Sequence, residues 1–266
     1  MEQQELFKKN SRNCVSRKTH LYRSGVRKGV WALNHVLGCA HGHRYPCYAF
    51  KMAISFGRVK NYNEWIKPRV VCNALWLLKR ELRKYHPDEV HLCLSTDPFM
   101  YDWKSGGLIK EIKDLTLSLI EELNSRGISV VTLTKGTYPD ELLETSRFLR
   151  SNKFGISIVS LNPKFRKKYE PFTAPYGLRI NSLFKLHQAG YRTWVNMEPY
   201  PVPEVDPTAR NIEELLEKIK FVDRIRLARW NYNLGIRKMA GKFYKEITRK
   251  FFHFCQLNKI DCYSEL

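Results

Sequence analysis

Within the stretch Asn34–Phe50 lie Cys39 and Cys47, His35, His41 and His43, and the glycines Gly38 and Gly42, in a loop too polar to be core. Thiolates and imidazoles at short spacing are metal-ligand chemistry, because neither group is gathered in a loop for packing. One reading takes Cys39, His41, His43 and Cys47 as a four-ligand zinc site. The atoms suit zinc, but the arrangement is cramped beside the usual ligand pairs, which stand a dozen or more residues apart. Another reading is a loop that folds without any metal.

The elements around this loop must hold it. The apolar run Val30-Trp31-Ala32-Leu33 just before it reads as a short buried strand. Downstream, Val70, Val71, Leu75, Leu78 and Leu82 fall at helical spacing and stop before His86-Pro87, and Glu89 to Leu94 reads as a strand. The alternation continues with a helix from Leu108 to Asn124 and a strand from Ile128 to Leu133. It then gives a helix from Asp140 to Arg150, a strand from Gly155 to Ser160, a helix from Leu178 to Gln188 and a strand from Tyr191 to Asn196. Asn211 to Lys220 is a further helix, Phe221 to Leu227 a strand, and Lys242 to Leu257 a last helix.

Six strands alternating with helices imply an α/β fold whose parallel sheet is covered by helices. No GxGxxG or GxxxxGK[ST] phosphate loop interrupts the pattern, which suits a partial (β/α)6 barrel over residues 30–266 better than a dinucleotide-binding sheet. Chemistry in such barrels sits at the carboxyl ends of the strands. Those ends are polar here: Cys39 to Cys47, Ser95-Thr96-Asp97, Thr134-Lys135, Ser160 to Asn162, Asn196 to Glu198, and Arg229-Trp230-Asn231. Each set alone suits a helix cap or a turn. Together they describe one polar mouth facing the Cys/His loop.

With 46 Lys and Arg against 26 Asp and Glu, the chain carries a net charge of +20, which favours an anionic partner such as nucleic acid or a phosphorylated substrate. Residues 1–29 form a basic N-terminal arm carrying Lys8, Lys9, Arg12, Arg17, Lys18, Arg23, Arg27 and Lys28. Lys51, Arg58, Lys60, Lys67 and Arg69, with Tyr62 and Trp65 among them, make a basic and aromatic stretch suited to nucleic acid or to the solvated side of a helix. The N-terminus lacks a signal segment and no stretch reaches eighteen consecutive apolar residues, so a cytoplasmic protein without a membrane span is expected. In that compartment Cys14, Cys72, Cys93, Cys255 and Cys262 read as ordinary thiols, Cys72 and Cys93 in the core.

The loop string Gly38-Cys39-Ala40-His41-Gly42 leading to Tyr45-Pro46-Cys47-Tyr48-Ala49 resembles the cluster loop of radical S-adenosylmethionine (SAM) proteins of the spore photoproduct lyase-like branch. In that family three cysteines hold a 4Fe–4S cluster whose fourth iron binds the amino and carboxylate groups of SAM. Here Cys39 and Cys47 match the outer two, His43 stands at the middle one, and Pro46 is an extra residue. The spacing becomes C-x3-H-x3-C instead of C-x3-C-x2-C. Imidazole replaces thiolate on iron in Rieske centres and raises the potential there.

The resemblance runs from about Asn34 to about Pro201. It includes Leu94 to Phe99, Thr134-Lys135, Ile158 to Leu161, Glu170-Pro171, Ala174-Pro175, Arg179, Leu186 and Ala189-Gly190. It implies an enzyme that cleaves SAM to a 5′-deoxyadenosyl radical, served by an electron donor such as ferredoxin or flavodoxin. Carried over by position, Ser95, Thr96 and Asp97 lie near the SAM amino group, Ser160 and Arg179 face its carboxylate or ribose, and Asn196 and Glu198 face the sugar and adenine. Tyr48 and Phe50 stack near adenine. For Arg179 an ion pair with Glu170 is an equal alternative.

Overall fold

The computed structural model describes residues 14–25, 28–230 and 240–265. The first thirteen residues of the basic arm, with Lys8, Lys9 and Arg12, lie outside them, as do Arg27 and Asn231.

The first strands are short: β1 (Cys14–Val15), β2 (Leu21–Arg23), β3 (Trp31–Leu33), β4 (Val36–Leu37) and β5 (Arg69–Val71). Then follow β6 (Glu89–Leu92), a small hairpin of β7 (Tyr101–Asp102) and β8 (Gly107–Leu108), and the longer β9 (Ser129–Thr134), β10 (Lys153–Ser157), β11 (Arg192–Tyr200), β12 (Arg224–Arg229) and β13 (Asp261–Glu265). The helices are α1 (Tyr48–Ser55), α2 (Tyr62–Trp65), α3 (Ala74–Glu81), α4 (Lys110–Asn124), α5 (Pro163–Tyr169), α6 (Tyr176–Gln188), α7 (Ile212–Ile219) and α8 (Gly241–Leu257).

The main sheet has eight strands in the order β13-β12-β11-β10-β9-β6-β3-β2. Apart from the antiparallel β2 edge, the pairs are parallel and the strands stand in chain order. Sequential parallel strands joined by helices curl in one direction. The result is the partial barrel expected from the sequence, left open between β13 and β2 among the described residues.

Helix α4 shows how the core forms. Ile112, Leu115, Leu119, Ile120 and Leu123 recur at helical spacing, and all are buried. Each such side chain contributes roughly 1.5–3 kcal/mol on leaving water.

The sequence reading needs four corrections here. Val70 and Val71 belong to strand β5, which pairs with β1 and β4 in a second small sheet, and the helix starts only at Ala74. The β-branched pair Val70-Val71 favours extended backbone. The helix expected at Asp140–Arg150 is a single 3-10 turn, Asp140–Leu143. The Tyr191 hydroxyl donates to the carbonyls of Leu142 (2.8 Å) and Phe148 (3.1 Å), so those carbonyls are satisfied without a helix. A seventh parallel strand, β13, follows the last helix. Finally, Cys14 and Cys72 are joined as a disulfide with Cα atoms 5.7 Å apart, because β1 and β5 lie side by side with Cys14 opposite Val70.

The described part of the basic arm is tightly bound. Arg17 donates through its backbone N–H to Asn73 (3.1 Å) and through its guanidinium to the Asn34 carbonyl (2.8 Å). The buried Glu81 carboxylate accepts the backbone N–H groups of His20 (3.1 Å) and Leu21 (2.6 Å).

Candidate functional site

A cavity of about 570 Å³ lies at the carboxyl ends of the barrel strands, between them and the Cys39–Cys47 loop. Cys39, His43, Cys47, Tyr48, Ser95, Thr96, Asp97, Asn196 and Glu198 line it, so most of the residues singled out from the sequence share one space. Phe50, Ser160 and Arg179 are not on its wall. Phe50 packs edge-on to Tyr62 (5.7 Å) and against Trp65 (5.9 Å) under the loop. Ser160 is buried and its hydroxyl donates to Asp206. Arg179 has no solvent exposure.

The loop enters the site through Gly38, whose φ of +84° and whose Cα hydrogen facing Trp65 leave no room for a side chain. A Cβ there would lie 2.6 Å from the Trp65 carbonyl oxygen, which itself accepts the Cys39 N–H at 2.8 Å.

Asp97 locks the second strand end to the third. It accepts the Phe99 N–H (2.8 Å), the Thr134 hydroxyl (2.7 Å) and the Lys135 N–H (2.8 Å), and His41 Nδ1 stands 3.3 Å away. Burial opposes its ionisation, but His41 and these donors outweigh it and hold the carboxyl below its usual value. His41 Nε2 accepts the Tyr101 N–H at 3.0 Å. His41 Nε2 is thus taken, while its Nδ1 makes no hydrogen bond and faces only the Asp97 carboxylate.

Deeper in the wall, Glu170 is fully buried and lies between two cations. Its Oε1 accepts from Lys135 Nζ (2.6 Å) and the Tyr45 hydroxyl (2.9 Å), and its Oε2 from Arg179 (3.1 Å). Arg179 also donates to the carbonyls of Ala174 and Ser157, both at 2.8 Å. The equal alternative raised for Arg179, a pair with Glu170, is therefore present in the structure. Burial pushes the Glu170 carboxyl up, yet Lys135 and Arg179 together hold it well below the carboxylate range. Burial pushes the Lys135 ammonium down, against the pull of Glu170. Lys135 donates to Ser157 (2.8 Å) as well, and it lines the cavity.

On the opposite wall Arg226 of β12 is forked. It donates to Asn196 (2.9 Å), to Glu198, and to Glu265 of β13 (2.7 Å). Trp194 of β11 forms part of the floor, its indole lying across Gly155 so closely that a Cβ on Gly155 would come within 2.3 Å of the ring. The sequence offers Lys135 only as a polar strand end and Glu170 only as a partner for Arg179, and it singles out neither Arg226 nor Glu265. Arg226 and Glu265 meet only through the register of β12 on β13.

Among the described residues, four buried polar atoms of cavity-lining side chains make no hydrogen bond: His41 Nδ1, His43 Nε2, Thr96 Oγ1 and Trp194 Nε1. Burial and the nearby Lys135 cation lower His43 to a pKa of about 3, so its imidazole is neutral. Burial, and next the Asp97 charge, push the Cys39 thiol well up, and burial raises Cys47. Two thiols and an unpartnered neutral imidazole on one cavity suit iron in kind. Among the described residues no three His, Cys, Asp or Glu side chains converge closely enough to hold a single metal ion.

No family model matches the chain. It is 23% identical over 216 residues to an uncharacterized protein, ORF301, of Acidianus two-tailed virus, a match spanning 77% of this chain and 67% of that one. Among solved structures, a spore photoproduct lyase double mutant with bound AdoMet and dinucleoside spore photoproduct superposes with a TM-score of 0.67 at 15% identity, over 95% of this chain and 81% of that chain. A spore photoproduct lyase complexed with dinucleoside spore photoproduct gives 0.64 at 16% identity over the same shares. The architecture is thus a partial α/β barrel. Within that class its fold is that of spore photoproduct lyase.

Proposed function

We propose that the chain is a radical SAM enzyme that binds AdoMet in the 570 Å³ cavity beside an iron–sulfur cluster held by Cys39, His43 and Cys47. The observation that carries this reading is the gathering of both thiols, the unpartnered His43 Nε2 and the polar ends of β6 and β11 around one cavity of this fold. A bound 4Fe–4S cluster would supply the electron for reductive cleavage of AdoMet.

The chain's own residues do the rest. Ser95 and Thr96 offer a hydroxyl, an unpartnered hydroxyl oxygen and turn carbonyls to the ligand's ammonium. Asp97, whose oxygens are taken by Phe99, Thr134, Lys135 and His41, fixes that turn. The Lys135 ammonium gives the carboxylate a cationic wall, and Arg179 and Glu170 hold it in place from behind. Asn196 and Glu198, steadied by Arg226, serve the ribose, and Tyr48, whose hydroxyl donates to the Leu94 carbonyl, serves the adenine. The barrel and loop exclude water from the reacting centre.

For the substrate, the net charge of +20 supports an anionic molecule, and the exposed Trp103 stacked on Phe172 at 5.5 Å supports a nucleic acid. Trp65 is core, so it takes no part in such a surface. An acidic ferredoxin or flavodoxin would be the electron donor.

Anaerobic reconstitution followed by iron, sulfide and zinc analysis, AdoMet titration and 5′-deoxyadenosine assay tests the reading. About four irons per chain, with AdoMet binding and its cleavage under reduction, is the expected result. Zinc or no metal, with no AdoMet binding, would overturn it.

A further inference from the structure

The ring that stands beside His43 is better anchored than packing alone requires. The His43 imidazole stacks on Tyr45 with centroids 5.0 Å apart and planes 13° from parallel. Tyr45 is buried and meets the edge of Trp230 at 5.4 Å, and the Lys135 Nζ lies 5.7 Å from its ring centre. Its hydroxyl donates to Glu170 Oε1 at 2.9 Å, and Glu170 is pinned by Lys135 and Arg179. Next to it, the Arg44 N–H donates to the Tyr169 carbonyl at 2.9 Å, which docks the same turn on α5.

We infer that Tyr45 is a positioning residue for His43. It fixes the plane of the imidazole and so the line along which Nε2 meets iron, and it does this from a post set in the buried Lys135–Glu170–Arg179 network. Three facts meet in this reading: the stack fixes the plane, the hydroxyl fixes the stack, and the fixed imidazole has a buried nitrogen without a partner. A thiolate on a flexible stem finds a metal by rotating one bond, whereas an imidazole must present its lone pair in the ring plane. A loop with imidazole in place of thiolate therefore gains from a second layer that orients the ring. The added Pro46 lengthens the turn that carries Tyr45 and fixes one of its backbone angles.

This inference rests on the cluster reading above, and its test separates the two. Protein labelled with ¹⁵N-histidine is reconstituted anaerobically as wild type, His43→Ala, Tyr45→Phe and Tyr45→Leu. Pulsed electron paramagnetic resonance reads the histidine nitrogen coupling, and iron loss to a chelator is timed. Melting temperatures are taken alongside.

The wild type is expected to show a histidine coupling that His43→Ala lacks. Tyr45→Phe, which keeps the ring and loses only the bond to Glu170, should alter that coupling and hasten iron loss roughly ten- to a hundredfold at an almost unchanged melting temperature. Tyr45→Leu, which loses the ring, should hasten it further. Wild-type coupling and iron retention in Tyr45→Phe would overturn the role of Tyr45, even if Tyr45→Leu does not fold. A cluster without histidine coupling in the wild type would overturn the inference and remove His43 from the proposed ligand set, leaving only a cluster that draws its third ligand from elsewhere. No cluster in any variant would remove both.

Discussion

Glu170 carries the site's heaviest electrostatic load at the scale of single residues. A fully buried carboxylate is costly to keep ionised, and it is kept so here by Lys135 and Arg179 on its two oxygens. Removing the carboxylate leaves two cations facing each other in a dry wall, whereas removing Arg179 leaves a Lys135–Glu170 pair intact. Glu170→Ala should therefore cost about 3–5 kcal/mol of stability, and Arg179→Met clearly less. Urea unfolding of the two variants checks the order. If Arg179→Met proves the more damaging, the carboxylate is not the centre of the network. The same residues mark a limit of sequence reading. That Cys39, His43 and Cys47 share one cavity follows from their lying within one short loop, and the Arg179–Glu170 pair was open to sequence reading, while the place of Lys135 between Tyr45 and Glu170 emerges only once three elements fold together.

Among the elements, β1 is the least conspicuous and ties down the most. Its two residues pair with β5, and the Cys14–Cys72 bond closes a loop across a sequence separation of 58 that contains the whole Cys39–Cys47 loop. Closing a loop of that length restricts the unfolded chain by about 4 kcal/mol on the chain-entropy account. Reduction, or Cys72→Ser, is expected to lower the unfolding free energy by an amount of that order, read as a lower urea midpoint, with mass spectrometry reporting two fewer free thiols in the untreated wild type than after reduction. Identical midpoints with and without reductant would show that the bond adds nothing. Local pattern announces some elements and not others. Helix α4 was evident because its buried side chains repeat every three or four residues, whereas β13, Asp-Cys-Tyr-Ser-Glu, has no apolar run and is a strand only because β12 offers it an edge. The segment from Asp140 to Arg150 has the apolar spacing of a helix but forms only the 3-10 turn Asp140–Leu143, and the Leu142 and Phe148 carbonyls meet the hydroxyl of Tyr191, far away in sequence.

For the molecule as a whole, the buried histidines make pH the informative variable. His20 and His35 are almost fully buried. His35 sits between Thr116 (2.7 Å) and the Cys93 thiol (3.4 Å), and neither ring nitrogen of His20 has a partner. Burial first, and then neighbouring positive charge, lowers both to a pKa of about 3. Unfolded histidine titrates near pH 6.5. Between these values the unfolded chain binds protons that the folded chain refuses, so the stability these groups contribute is complete above about pH 6.5 and is lost as pH falls toward 3. Each such proton gives a slope of up to about 1.4 kcal/mol per pH unit in the lower part of that window, and in the metal-free protein the similarly buried His43 adds a third to those of His20 and His35. Carboxylates held low, such as Glu170 and Asp97, add losses of the same sign only below about pH 4.5, so the range from 6 to 5 isolates the histidines. The charge of +20 also grows on acidification and strains the compact state through self-repulsion, but salt screens repulsion and leaves proton uptake in place. Urea midpoints of the metal-free protein measured from pH 7 to 5 at low and high salt separate the two effects. A midpoint that falls with acidification at both salt concentrations is expected. A flat profile at high salt would assign the whole effect to net charge, and His20 and His35 would then have to accept protons in the folded state.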